Sequence, residues 1–423
     1  MTAEPLLSDD FLDELAAVGS VDVLAGVPTG NHAGSVGRVL TSLQIGLIKH
    51  FPRARCMLLV ADAQSSDGTP DAVNAAFRDS RDVRLEWSPL RTMHRLITSY
   101  HPNFGRGGAW RVFAVAADLL RAKACVVFSP DLDEIAPEWV ANLVRPIYQD
   151  GFDLVAPVYS RPKFGGLLIK NVVSPLIGGV YGRPLREPAG TELGVSGKLA
   201  GQLLAADAWQ DEAVRSAPEL WAATTAFASG AKVGQAFLGP KSPKPGHASP
   251  DLVTSIRQVV GPLFRCMELH AGYWTERKEA GTVTNLELAP AANLEPAHVQ
   301  RDQMLQTFRR GISELDEVIA PILARDTLIE IKALSSSANG DFTFPDDLWV
   351  RTVYDFAASY HRSVINRDHL LQALAPLYQG RIGAFVAENE RADPERLEER
   401  LEQLSQRYEQ HRPYLIKRWS GES

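Results

Sequence analysis

Residues 21–69 read VDVLAGVPTGNHAGSVGRVLTSLQIGLIKHFPRARCMLLVADAQSSDGT. Two apolar, β-branched runs, Val21–Val27 and Cys56–Val60, flank a stretch over Val36–Lys49 whose apolar residues recur at helical spacing. Strand, helix and strand in that order predict a parallel pair, because parallel strands need a long crossover and a helix is the usual one. The alternation continues through a helix from Thr69, a helix from Gly107, and strands over Val83–Trp87, Ala124–Phe128 and Asp153–Tyr159. The chain therefore reads as α/β with a Rossmann-like, mostly parallel sheet. Ligands of such sheets sit where strands end and loops begin. Here those loops are Pro28–Gly34, Asp62–Gly68, Phe104–Gly108 and Ser129–Glu134, which hold most of the glycine and acidic chemistry of the first half.

The chain has 423 residues, 45% of them hydrophobic and 22% charged, enough for more than one buried core. A net charge of −7 argues against a broad nucleic-acid face, so a phosphate site has to be built locally. Cys56, Cys125 and Cys266 lie far apart and form neither a disulfide framework nor a zinc pattern. The N-terminus lacks the basic-then-apolar layout of a signal peptide, which predicts a cytoplasmic address. No apolar run reaches the roughly 18–20 residues of a spanning helix; peripheral membrane contact and homo-oligomerisation stay open. Arg161–Gly197 is punctuated by breakers and reads as loops and short elements, and Pro240–Pro250 as a mobile active-site loop. From Glu295 helical periodicity dominates, ending in a helix capped by Asp393 with Pro394 first.

In the strand-end loop that carries Val27, Pro28 and Gly30, the glycines allow close backbone approach, and the helix that follows offers unpaired N–H groups to a nucleotide. Asp62 and Ser65 are placed to hydrogen-bond a ribose or a base edge, while Asp67-Gly68-Thr69 reads as a turn. Arg106 and Gly107, in a flexible glycine-rich loop, make a diphosphate cradle. Asp131 and Asp133 follow an apolar strand and would converge on a divalent cation; alternatively Asp133 and Glu134 cap the next helix. Glu219 fits a helix-start charge or an active-site carboxylate equally well. Tyr354, Tyr360 and Tyr378 recur at helical spacing and read as core.

This order of motifs, a Val27-Pro28 loop, Asp62-x-x-Ser65-Ser66-Asp67-Gly68-Thr69, Gly105-Arg106-Gly107-Gly108-Ala109 and an acidic strand end, resembles retaining GT-A glycosyltransferases. It is most similar in style to the mannosylglycerate synthase and glucosyl-3-phosphoglycerate synthase families, and the likeness continues through Arg183–Glu192 and Phe344–Tyr354. The resemblance implies an N-terminal segment over 1–18, a GT-A domain over 19–275 and an α-helical C-terminal domain over 276–423. It further implies transfer of a hexose, with retention, from a nucleoside diphosphate sugar to a small hydroxyl acceptor. A glycerate-like anion fits the nearby Arg183, Arg186 and Lys198. Mg2+ or Mn2+ would be held by an Asp-x-Asp motif and a later histidine. Anchored on Pro137-Glu138-Trp139, that motif falls on Ser129-Pro130-Asp131; shifted by two residues, it falls on Asp131-Leu132-Asp133. His247 is the late ligand, or, in an ungapped reading, Pro243 stands there. Arg106 occupies the place of the relatives' Lys, so charge is kept and geometry changes. If the reaction inverts instead, Glu192 or Glu219 is the base. Two rival readings are a catalytically decayed sugar-nucleotide-binding or scaffold protein, and an NAD(P)-dependent oxidoreductase with Asp62 on a ribose. The irregular glycine spacing counts against the second.

Overall fold

The computed structural model describes residues 6–79, 93–241, 251–286, 300–337 and 342–421. Two compact units emerge. One comprises Met1–Tyr159, Ala189–Lys244 and Val283–Ala289; the other comprises Ser160–Pro188, Pro245–Thr282 and Pro290–Ser423.

The first unit is built on a sheet of eight strands: β1 Val23–Thr29, β2 Cys56–Asp62, β3 Met93–Ser99, β4 Ala124–Val127, β5 Leu154–Ser160, β6 Leu193–Ser196, β7 Val233–Pro240 and β8 Thr284–Asn285. Their order is β3-β2-β1-β4-β6-β5-β7-β8. β1 is parallel to β2 and β4, and β2 to β3, whereas β6 is antiparallel to β4 and β5. The expected α/β class is what the structure has. Helices Val36–His50 and Glu138–Asp150 cover one face, and Leu40, Leu43, Leu143 and Val144 meet Val23, Val60 and Val126 in a common core. Val83–Trp87, expected as a strand, lies outside the described residues. The third strand is Met93–Ser99, whose side chains are mostly only half-buried; this edge position leaves no clean alternation to read. Cys56 and Cys125 are free, buried thiols whose pKa burial pushes up to about 12.

The connections of this sheet place its crevice. The chain steps from β1 outward to β2 and β3, then returns to β4 on the other side of β1. The switch point therefore lies between the carboxyl ends of β1 and β4, where open parallel sheets take their ligands.

The second unit is helical. Helix Arg301–Glu314 runs against Arg367–Asn389, and a Cβ on Gly311 or Gly380 would meet Pro376 at 2.3 Å or Phe308 at 2.7 Å. Only glycine permits that approach. Asp393 caps helix Pro394–Gln410 as expected, accepting from the Arg396 N–H at 2.8 Å. Leu397, Leu404 and Tyr408 of this helix are buried, and Tyr408 sits on Gly179 of helix Ser174–Tyr181 in the same unit. Tyr354, Tyr360 and Tyr378 are buried, in keeping with their spacing. Among the described residues, no helix is long and apolar enough to cross a membrane.

Candidate functional site

Asp62 ends β2, and the register sets it opposite Thr29 of β1 on one side and Ser99 of β3 on the other. Its carboxylate is 3% exposed and accepts from the Thr29 hydroxyl at 2.8 Å, the Ser65 N–H at 2.8 Å and the Ser65 hydroxyl at 2.6 Å. A carboxylate offers about four acceptor sites, so one remains for a ligand. Around it the first two loops are laced together. The N–H groups of Gly30, Asn31, His32 and Ala33 donate to His32 Nδ1, Ser65 Oγ, Thr69 Oγ1 and an Asp67 carboxylate oxygen, at 2.8–3.0 Å. These four N–H groups belong to the loop before helix Val36–His50, and each is taken by a side chain of the protein itself. Val27 is fully buried in the core, whereas Pro28 and Gly30 are half-buried.

The glycine-rich segment is also not a loop. Gly105 opens helix Gly105–Leu119, so Arg106 and Gly107 lie in its first turn. The glycines are required by packing: a Cβ on Gly105 or Gly107 would stand 2.5 Å from the carbonyl oxygen of Arg215 or Val214. Arg106, with a half-exposed side chain, forms an ion pair with Glu219, which is 5% exposed and lies in the first turn of helix Pro218–Ala228. Burial raises the Glu219 pKa, and the Arg106 charge works against that rise. Tyr100, just after β3, was missed by the sequence reading. Its ring lies against Gly108, and burial together with the nearby Asp62 charge pushes its hydroxyl up to about 12 against the pull of Arg106. Asp62, Tyr100 and Arg106 thus share one neighbourhood at the ends of β2 and β3.

Glu192 precedes β6, whose Leu193 pairs with Val127 at the end of β4, so it stands at the same end of the sheet. It is fully buried and accepts from Thr191 Oγ1 at 2.6 Å, Lys241 Nζ at 2.9 Å and the Tyr159 hydroxyl. Burial alone would raise its pKa, but the Lys241 charge and these hydrogen bonds outweigh it and hold the pKa below the ordinary value. A carboxylate so engaged is a poor proton acceptor and a good anchor for Lys241, which the sequence reading also missed. Because the folded pKa is depressed, the stability it contributes is present above the ordinary 4.5 and lost as pH falls through the depressed value. Glu192→Gln is expected to cost about 2 kcal/mol at neutral pH, in the range of hydrogen bonds to a charged group. Thermal melts of both proteins from neutral to acid pH should converge as pH falls through the depressed Glu192 value; a constant gap would refute the ionised pair.

At the end of β4, Ser129 Oγ donates to Asp131 at 2.6 Å. Asp133 does not turn toward Asp131's hydroxyl partner but pairs with Arg38 at 2.9 Å on the surface. His247 and Pro243 lie outside the described residues. Among the described residues no group of three or more His, Cys, Asp or Glu side chains is placed to hold a metal. Among the described residues Asp131 brings one carboxylate to this strand end, where Mg2+ and Mn2+ take several oxygen ligands. The acceptor-side cations also separate. Lys198 follows β6, whose Ser196 pairs with Ala124 at the start of β4. It lines, with Arg121 and Lys123, a depression of about 420 Å³ at the opposite end of the sheet from Asp62. Arg186, in the second unit, pairs with Glu398 at 2.6 Å.

Neither a protein-family model nor a curated protein sequence matches the chain. Solved structures of glucosyl-3-phosphoglycerate synthase from Mycobacterium tuberculosis are similar to it. One, in complex with phosphoglyceric acid, shares 20% identity at a TM-score of 0.41, covering 60% of this chain and 83% of that one. Another, with Mn2+, uridine-diphosphate-glucose and phosphoglyceric acid, shares 19% identity at a TM-score of 0.42, covering 63% and 86%. A likeness this distant carries no argument about activity, which has to come from this chain's own geometry.

Proposed function

We propose that the sheet unit binds a nucleoside diphosphate sugar across the carboxyl ends of β1 to β4, and that the protein transfers the hexosyl group to a small hydroxyl acceptor. The observation that carries this is the gathering of Asp62, Tyr100, Arg106, Asp131 and the Glu192–Lys241 pair at the one sheet end that contains the switch point. Asp62 has one acceptor site left for the nucleoside. Arg106 is half-exposed and cationic, suited to the charge that grows on the diphosphate as its bond to the anomeric carbon breaks. With retention, no base is needed on the acceptor side, in keeping with a Glu192 that is held ionised by Lys241.

The test is a transfer and hydrolysis panel of uridine, guanosine and adenosine diphosphate hexoses, run with Mg2+, with Mn2+ and with chelator. Turnover of none of them would refute the proposal. The same panel decides the metal. If Asp131 is a metal carboxylate, Asp131→Asn nearly abolishes divalent-ion-dependent turnover, because the amide keeps the shape and loses the charge a hard cation needs. Asp133→Asn is expected to be mild, since Asp133 faces Arg38 at the surface. Full activity in chelator, with both variants like wild type, would leave the side-chain cations as the leaving-group stabilisers. The second reading, a sugar-nucleotide-binding protein without turnover, is favoured by Asp133, which pairs with Arg38 at the surface. Nucleotide binding without transfer in the panel would establish it.

A further inference from the structure

We propose that Glu219 is a positioning residue that tunes Arg106, and that a bound diphosphate competes with Glu219 for the same guanidinium, so that binding draws a proton onto Glu219. This rests on the nucleoside diphosphate reading of the sheet unit.

The geometry is that of a clamp. Helix Glu212–Ser216 presses its backbone on Gly105 and Gly107, and Arg215 donates to the Asn103 carbonyl, so the first turn of helix Gly105–Leu119 is fixed against it. The next helix then supplies Glu219, which is nearly inaccessible to solvent, to one terminal nitrogen of Arg106. The pair aims the side chain, and a diphosphate of higher charge draws the same guanidinium away from Glu219. Arg106 and Trp110 face Glu219 from helix Gly105–Leu119. Tyr100, at the end of β3, feels the charges of both Arg106 and Asp62. The other helices packed on this one bring Glu212 and Arg215, the latter turned to Asn103, Lys198 at the start of Gly197–Ala205, and the acidic Asp9, Asp10, Asp13 and Glu14 of helix Asp9–Val18. Arg106 is thus the one cation in contact with Glu219 in the described structure.

The sign follows. A diphosphate that takes the guanidinium removes the charge that opposes the burial-driven rise of the Glu219 pKa. The pKa is then higher in the complex, the proton goes from solvent onto the Glu219 carboxylate, and binding tightens as pH falls.

The experiment measures binding of inorganic pyrophosphate and of uridine and guanosine diphosphates by calorimetry, from about pH 8.5 to about pH 5.5, to the full chain, Glu219→Gln and Arg106→Ala. The Gln variant should bind pyrophosphate about tenfold more tightly than wild type at high pH, one unit of differential proton affinity. The two curves should converge at low pH, since titration of the ligand itself is common to both. In paired buffers of different ionisation enthalpy, wild type should take up more protons on binding than the Gln variant. Arg106→Ala should bind weakly and show no such difference. A purely structural Glu219 would shift the melting temperature and leave the pH dependence unchanged, which overturns the proposal. Superimposed wild-type and Gln curves, or equal proton uptake, overturn it while leaving the nucleotide reading intact. A wild type that binds none of the probes overturns both.

Discussion

Replacing Asp62 by alanine is expected to destabilise the protein substantially as well as to weaken nucleotide binding. From sequence, a carboxylate at a strand end looks dispensable to the fold, and a binding-only phenotype would follow. The structure changes that expectation. Asp62 is buried, and its removal leaves the Thr29 hydroxyl and both the N–H and hydroxyl of Ser65 without their acceptor. Stranding buried donors costs about 1–3 kcal/mol each, so a loss on the order of 3 kcal/mol is expected after some rehydration at the crevice. Asp62→Asn keeps one acceptor oxygen and should cost less. Because Ser65 Oγ also accepts from the Asn31 N–H at 2.8 Å, the first loop should loosen with the second. Urea unfolding and calorimetry on the same preparations separate the two effects. Wild-type stability in Asp62→Ala would show that the network is incidental, and unchanged diphosphate affinity in the folded fraction would remove Asp62 from the site.

What the sequence revealed and what it hid divide along a physical line. Strands β1, β2, β4 and β5 were legible because both their faces are covered, so they appear as continuous apolar runs. β3 was not, because it lies at the sheet edge with half-exposed side chains such as His94 and Arg95. The carboxylates of the site were visible as residue types, yet their partners were not. Thr29, Tyr100 and Lys241 belong to the site only through register and through contacts 33 to 49 residues away along the chain, as with Thr29 to Asp62 and Lys241 to Glu192. Glu192 and Arg186 stand six residues apart in sequence and belong to different units, which spacing alone cannot disclose. Glycine was the most ambiguous letter of all. In the first loop it accompanies a backbone whose Gly30–Ala33 N–H groups are taken by side chains; in the Gly105–Gly108 segment it accommodates a neighbouring helix.

That last distinction leads to the sharpest expected result outside the Asp62 network. If Gly107 were there to let a phosphate approach, Gly107→Ala would lower ligand affinity and leave stability alone, or improve it slightly by favouring the helix. The structure predicts the opposite order. A Cβ on Gly107 would fall 2.5 Å from the Val214 carbonyl oxygen and 3.0 Å from the Arg215 Cα, and both are backbone atoms with no rotamer to change. Either helix Glu212–Ser216 moves or the first turn of Gly105–Leu119 does, and overpacking of this kind costs about 1–3 kcal/mol or more. The displacement also passes to Glu219, three residues beyond Ser216, and through it to Arg106. Gly107→Ala should therefore lose stability by about 3 kcal/mol, at the upper end of that range, with or without ligand. Gly37→Ala is the control: the added methyl would meet nothing within 4 Å, and the change should be neutral or stabilising by up to about 1 kcal/mol. Denaturant unfolding of the two variants in the absence of nucleotide is the measurement. A Gly107→Ala protein as stable as wild type, with impaired diphosphate binding, would return this glycine to a phosphate-binding role and remove the packing explanation for the segment.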